Sequence, residues 1–161
     1  MVTGEALRGL VEQLKAHIPI LVAEDSEDEI FLLRRALAKA RLEAHVQFVG
    51  DGEQVMEYLR GDGDYADRGR YPFPVLVVLD IKMPKMNGLE TLSAIRNDPR
   101  FRRLVVVFLT SSSQERDVNH AFDLQVNSYL VKPSKPEALT DIVEHLKAYW
   151  LGLNHFPTQP V

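Results

Sequence analysis

The stretch VLVVLDIKMPKMNGLETLSAIR, residues 75–96, decides the fold. Val75–Leu79 is an unbroken apolar run rich in branched side chains, which is how a strand buried on both faces reads. Leu89–Arg96 then carries a helical pattern, so a buried strand gives way to a helix on the far side of Asp80. The same alternation runs outward in both directions. Further strand candidates are Ile18–Ala23, Val46–Val49, Leu104–Leu109 and Ser128–Val131. After the first of them, Ser26 followed by Glu29 reads as a capping box, and Ile30, Leu33, Leu37 and Ala40 recur on one helical face. Gln54–Leu59 and Gln114–Leu124 fill two more gaps. The last helix opens with Ser134 and Glu137 as a second capping box and repeats apolar residues at Leu139, Ile142, Val143, Leu146, Tyr149 and Trp150. Five strand–helix units predict an α/β fold: a five-stranded parallel sheet, doubly wound, with strand order 2-1-3-4-5. Such sheets bind ligands at the carboxyl ends of their strands.

Three segments lie outside the repeat. Leu7, Leu10, Val11 and Leu14 keep helical spacing before Pro19, which predicts an extra amphipathic N-terminal helix. Gly61–Pro74 reads as a long polar loop, and the tail after Trp150 carries two prolines and no clear period. The 161 residues, 45% of them apolar, suffice for one domain with a proper core. No apolar run approaches the roughly 20 residues of a membrane helix, and the N-terminus lacks a signal-peptide layout, so a cytoplasmic location is expected. The absence of cysteine rules out disulfides and thiolate metal sites. A net charge of −4 with interspersed signs argues against direct nucleic-acid binding.

Chemistry gathers at the strand ends. Glu24 and Asp25 follow strand one, Asp80 follows strand three, Thr110 and Ser111 end strand four, and Lys132 follows strand five. With strands one and three adjacent, three carboxylates converge, and a hard divalent cation, best Mg2+, is the usual relief for such a cluster. Taken singly, each residue has a plainer reading. Glu24 and Asp25 favour a helix N-terminus, Thr110 caps a helix, and Lys132 is a surface charge. Together they describe a carboxylate nucleophile at Asp80, with metal and lysine neutralising a phosphoryl group. The Thr110 hydroxyl and the Ser111 backbone N–H can then bind its oxygens.

These motifs resemble the receiver domain of two-component response regulators. LVAEDSEDE is similar to the family's acidic pair, and VVLDIKMPKMNG to its phosphoacceptor segment, with Met83, Pro84 and Gly88 at the family spacing. FLTSS and SYLVKPS match the other two signatures. The resemblance spans about Ile18 to Trp150 and implies a flavodoxin-type, CheY-like fold. It divides the chain into an N-terminal helical extension (1–17), a receiver domain (18–150) and a C-terminal tail (151–161). It further implies Asp80 as phosphoacceptor and metal ligand, Glu24 and Asp25 as metal acids, and a Lys82 backbone carbonyl on the ion. Thr110 becomes the switch hydroxyl, Lys132 the phosphate partner and Tyr129 the rotating aromatic, with a cis Lys132–Pro133 bond. Glu24 stands where aspartate is more frequent. The donor implied is a phosphohistidine on a sensor histidine kinase. The Gly61–Pro74 loop and the tail are similar to small response regulators that pair with phytochromes. No effector domain follows, so a single-domain regulator is expected, signalling through protein–protein contacts rather than turnover. The N-terminal helix with Leu151, Leu153 and Phe156 supplies candidate homodimer elements, although packing within their own domain explains them equally.

Rival readings conflict with the residues. A flavodoxin-like carrier needs a hydroxyl-rich loop after strand one, where Glu24 and Asp25 stand. A haloacid-type phosphatase needs an acid two residues after its nucleophile, where Lys82 stands. A degenerate receiver that binds partners without phosphorylation stays open.

Overall fold

The structure, a computed structural model, describes residues 3–8 and 18–160. Five strands, β1 (Ile20–Ala23), β2 (Val46–Val49), β3 (Leu76–Leu79), β4 (Val105–Thr110) and β5 (Ser128–Val131), form one sheet. All pairs are parallel and the order is β2-β1-β3-β4-β5, as the strand–helix alternation predicts. Five α-helices follow the strands: α1 (Glu27–Lys39), α2 (Gly52–Arg60), α3 (Gly88–Asn97), α4 (Glu115–Asp123) and α5 (Pro136–Leu146). The order reverses between β1 and β3, which makes their carboxyl ends the switch point of the sheet.

The unbroken apolar runs are explained by two cores. Successive strand residues point to opposite faces, and neither face of β1, β3 or β4 meets water. Leu21, Val77, Leu79 and Phe108 pack with Val55, Leu92 and Ile95 on one side. Val22, Val78 and Leu109 pack with Leu33, Leu139 and Val143 on the other. A one-residue slip of β3 would exchange these two sets, so the pleat holds Asp80 in place.

Helix starts correct two expectations. At α1 the Ser26 hydroxyl accepts from Glu29 N at 3.4 Å, but the Ser26 N–H goes to Glu24 Oε1 at 3.1 Å instead of to Glu29. Only half a capping box forms. At α5 no box forms at all: Lys135 is the N-cap and makes no side-chain cap bond, and Pro136 opens the helix. Proline suits the first helical position because its missing N–H and fixed φ cost nothing there, and that start leaves Glu137 one position short of the reach a box requires.

The Gly61–Pro74 segment is tied down. Gly61, in the left-handed region at φ 71°, ends α2, and Arg68 donates from its guanidinium to the carbonyls of Tyr58 and Leu59, both at 2.8 Å. Both carbonyls lie in the last turn of the helix, where intrahelical donors run out, and Tyr58 O also accepts from Gly61 N at 3.1 Å. Tyr58 donates its hydroxyl to Pro72 O at 3.0 Å, and the rings of Tyr58, Tyr65 and Tyr71 pack on one another.

Helical backbone continues beyond α5 as a wider turn over Lys147–Leu153. Trp150 and Leu151 are buried, Phe156 packs on the same core, and Leu153 is exposed. Of the N-terminal helix, Gly4–Arg8 is helical with Leu7 exposed, while Leu10, Val11 and Leu14 lie outside the described residues. No helix among the described residues is long and apolar enough to cross a membrane.

Candidate functional site

Strand register assembles the site. Ala23 pairs with Leu79, so Glu24 and Asp80 are the next residues on adjacent strands, and Asp80 N donates to Ala23 O at 3.2 Å. On the other side of β4, Thr110 pairs with Val131, and Lys132 N donates to Thr110 O at 2.7 Å. Glu24 (4% exposed), Asp80 (6%) and Thr110 (1%) are all buried. Buried charge of one sign is costly unless paired, and Lys132 pairs it.

The Lys132 ammonium is the hub. It donates to Asp80 Oδ2 at 2.7 Å, to Glu24 Oε2 at 2.6 Å and to the carboxylate of Glu29. An ammonium has three N–H donors, so all are used. Asp80 Oδ1 is buried and has no hydrogen-bond partner, which leaves one carboxylate oxygen with free lone pairs in the centre of the cluster. Glu24 spans the gap between backbone and lysine, with Oε1 on Ser26 N and Oε2 on Lys132.

Burial and the lysine pull the two buried acids apart. Desolvation pushes Glu24 up to about 8 in spite of the lowering bonds from Lys132 and Ser26. Asp80 also feels burial, but the hydrogen bond and charge of Lys132, with lesser help from Glu24 and Thr110, hold it below the usual carboxylate range. Two neighbouring acids thus differ, with Asp80 the anion. Burial opposes the charge of Lys132, yet its three carboxylate partners hold its pKa above the ordinary lysine value. Below the cluster a cavity of about 100 Å³ is floored by Val22, Leu33, Val78, Leu109 and Leu139, the apolar wall that supplies this desolvation.

The turn after Asp80 folds back on it. Gly88 N donates to Ile81 O at 2.9 Å, and a Cβ on Gly88 would lie 2.1 Å from the Asp80 carbonyl oxygen. Only glycine allows this approach.

The remaining expected residues are placed unequally. Tyr129 lies edge-on to Phe108 with centroids 5.9 Å apart, and its hydroxyl donates to Ser112 O at 2.8 Å. Ser111 and Lys82 are exposed beside the cluster. Asp25 is exposed as well. Among the described residues the acids whose oxygens lie within 4.8 Å of one another are Glu24, Glu29 and Asp80. Glu29 is the residue that sequence reasoning misplaced by giving its carboxylate to a capping box. Its position carries a signal: side chains at the start of a helix lean back towards the N-terminus, and α1 starts at this sheet edge. The Lys132–Pro133 bond is trans, as is every peptide bond among the described residues. The ammonium reaches its acids from that isomer, which an X–Pro bond prefers by roughly 0.5–1 kcal/mol.

The sequence family described as response regulator receiver domain matches residues 20–144. This chain belongs to that family. The receiver domain is a signalling module, and relatives that match most of this chain include regulators. FilR2 of Methanothrix harundinacea, a probable methanogenesis regulatory protein, is 37% identical over 138 residues, 86% of each chain. Response regulator Rcp1 of Synechocystis is 33% identical over 132 residues, covering 82% of this chain and 88% of Rcp1. The Mn2+-bound form of Rcp1 superposes with a TM-score of 0.77, 32% identity and coverage of 88% of this chain and 99% of that one. The phosphorylated cyanobacterial phytochrome response regulator RcpA superposes with a TM-score of 0.80 at 37% identity, again covering 88% and 99%.

Proposed function

We propose that this receiver domain accepts a phosphoryl group on Asp80 from a sensor histidine kinase and signals through altered protein–protein contacts. The observation that carries the reading is Asp80 itself: a buried carboxylate held anionic by Lys132 through one oxygen, with the other free of any partner. A carboxylate oxygen attacks phosphorus, the phosphorus–nitrogen bond to the donor histidine breaks, and its electron pair returns to the imidazole nitrogen. Lys132 neutralises charge on the transferred group, and the Thr110 hydroxyl and Ser111 N–H bind its oxygens. Drawing Thr110 towards the phosphoryl group pulls on the β4–α4 segment that Tyr129 holds through Ser112.

The donor set suits Mg2+: hard carboxylate oxygens, one of them buried and unpaired. Asp80, Glu24 and Asp25 with the Lys82 carbonyl would hold the ion, whose charge offsets that of the phosphoryl oxygens. The Mn2+-bound form of Rcp1 supports a divalent ion here. Small phosphodonors serve in place of the kinase, and slow loss of the phosphoryl group to water resets the site, so turnover of a substrate is not its role. Similarity to RcpA favours a phytochrome as the kinase; a cytoplasmic location and a second copy of this chain as a further partner belong to the same proposed reading.

The test is transfer of radiolabel from an autophosphorylated phytochrome-type histidine kinase. Label moving to the wild-type chain only with Mg2+ present supports the reading. Label that stays on the kinase, with small phosphodonors also inert, leaves the chain a partner-binding receiver without phosphorylation.

A further inference from the structure

Lys132 has no donor left for a phosphoryl group. Its three N–H bonds go to Glu24, Asp80 and Glu29. A phosphoryl group on Asp80 brings three acceptor oxygens and nearly two negative charges, and Lys132 can donate to it only by leaving a present partner.

The three partners are not equally easy to leave. Glu24 has a side chain only 5% exposed, and abandoning it would strand a buried carboxyl oxygen away from water with no partner. Asp80 is the group being modified. Glu29 has a side chain 39% exposed, so its carboxylate can turn into solvent. The start of the helix does not claim it, because the Ser26 N–H that a capping box would offer is already bonded to Glu24. The helix keeps its start when Glu29 lets go, since the Ser26 hydroxyl cap depends on the Glu29 backbone and not its carboxylate.

We propose that Glu29 is a positioning residue that competes with the phosphoryl group for the Lys132 ammonium and so sets how tightly the modified site is held. This rests on the reading of Asp80 as phosphoacceptor. Glu29 is a brake built into the first turn of α1: the stronger its hold on Lys132, the weaker the lysine's grip on phosphate.

The probe is beryllofluoride, a non-covalent stand-in for the phosphoryl group, titrated at saturating Mg2+. Glu29→Gln binds it about fivefold more tightly than wild type, the scale of a partly exposed ion pair. Glu27→Gln removes the same charge from the same exposed turn and changes the affinity by less than about twofold. Mg2+ affinity measured without beryllofluoride stays unchanged in Glu29→Gln. A merely structural role would loosen binding or leave it alone, so unchanged or weaker beryllofluoride binding overturns the proposal. Equal tightening in Glu27→Gln overturns it in favour of net charge, and tenfold weaker Mg2+ binding in Glu29→Gln overturns it in favour of a metal ligand. If wild type itself fails to bind beryllofluoride, the Asp80 reading falls, and this one with it.

Discussion

The carboxyl edge of the sheet and the segment between α2 and β3 are both polar stretches attached to buried strands, yet they use polar groups in opposite ways. The Gly61–Pro74 segment is held by donors with fixed acceptors: Arg68 closes the end of α2 and the Tyr58 hydroxyl holds Pro72. At the sheet edge three acids crowd one ammonium, and a buried Asp80 oxygen is left over. The first arrangement secures the fold. The second holds chemistry in reserve, at the expense of local stability.

The sheet edge is most vulnerable at Lys132. Replacing Lys132 with Met removes the cation that three acids share, and truncating one member of a buried ionic cluster costs about 3–5 kcal/mol. Denaturant unfolding at neutral pH without divalent ions should show that loss, with phosphoryl acceptance also crippled. A variant as stable as wild type would mean the cluster is not held by the lysine.

A pH series separates the two acids. The folded state keeps a proton on Glu24 up to about 8, whereas the unfolded chain releases it near 4.5. Between those values the folded state binds more protons, so this contribution to stability is full below 4.5 and is lost as pH rises towards 8. Asp80, held below its ordinary value, acts the other way and only at acid pH, where its contribution fades as pH falls through the folded pKa. Without metal, stability from pH 5 to 8 should fall by an amount on the order of 2–3 kcal/mol, and Glu24→Gln should flatten the slope. A slope unchanged in that variant would assign the titration elsewhere.

Arg68→Ala probes the braced segment. Losing charge-assisted bonds to the Tyr58 and Leu59 carbonyls should cost about 2 kcal/mol in unfolding experiments. Phosphoryl acceptance in the folded variant should stay within about twofold of wild type. A larger change would show that the segment works on the site and does not merely brace it.

Much of the edge was legible because strand period and strand order fix where chain ends meet. Once Val75–Leu79 and Ile18–Ala23 are read as adjacent parallel strands, Glu24 and Asp80 must be neighbours. Lys132 follows from β5 in the same way. What escaped depends on choices between local alternatives. Glu29 satisfied a capping-box pattern on paper, but Glu24, one methylene longer than aspartate, reaches the Ser26 N–H first. Ser134 and Glu137 fitted the same pattern, and Pro136 overrode it by taking the first helical position. The Gly61–Pro74 segment has no period to read. Its staples join Arg68 to carbonyls nine and ten residues away, a pairing that composition does not encode.

Everything proposed for the sheet edge depends on Asp80 being the group that accepts phosphate. Intact mass after incubation with a small phosphodonor and Mg2+ tests it most directly. The wild-type chain should gain one phosphoryl mass, and Asp80→Asn should gain none while keeping its fold. No gain in the wild type, or an undiminished gain in Asp80→Asn, would rule Asp80 out as the phosphoacceptor.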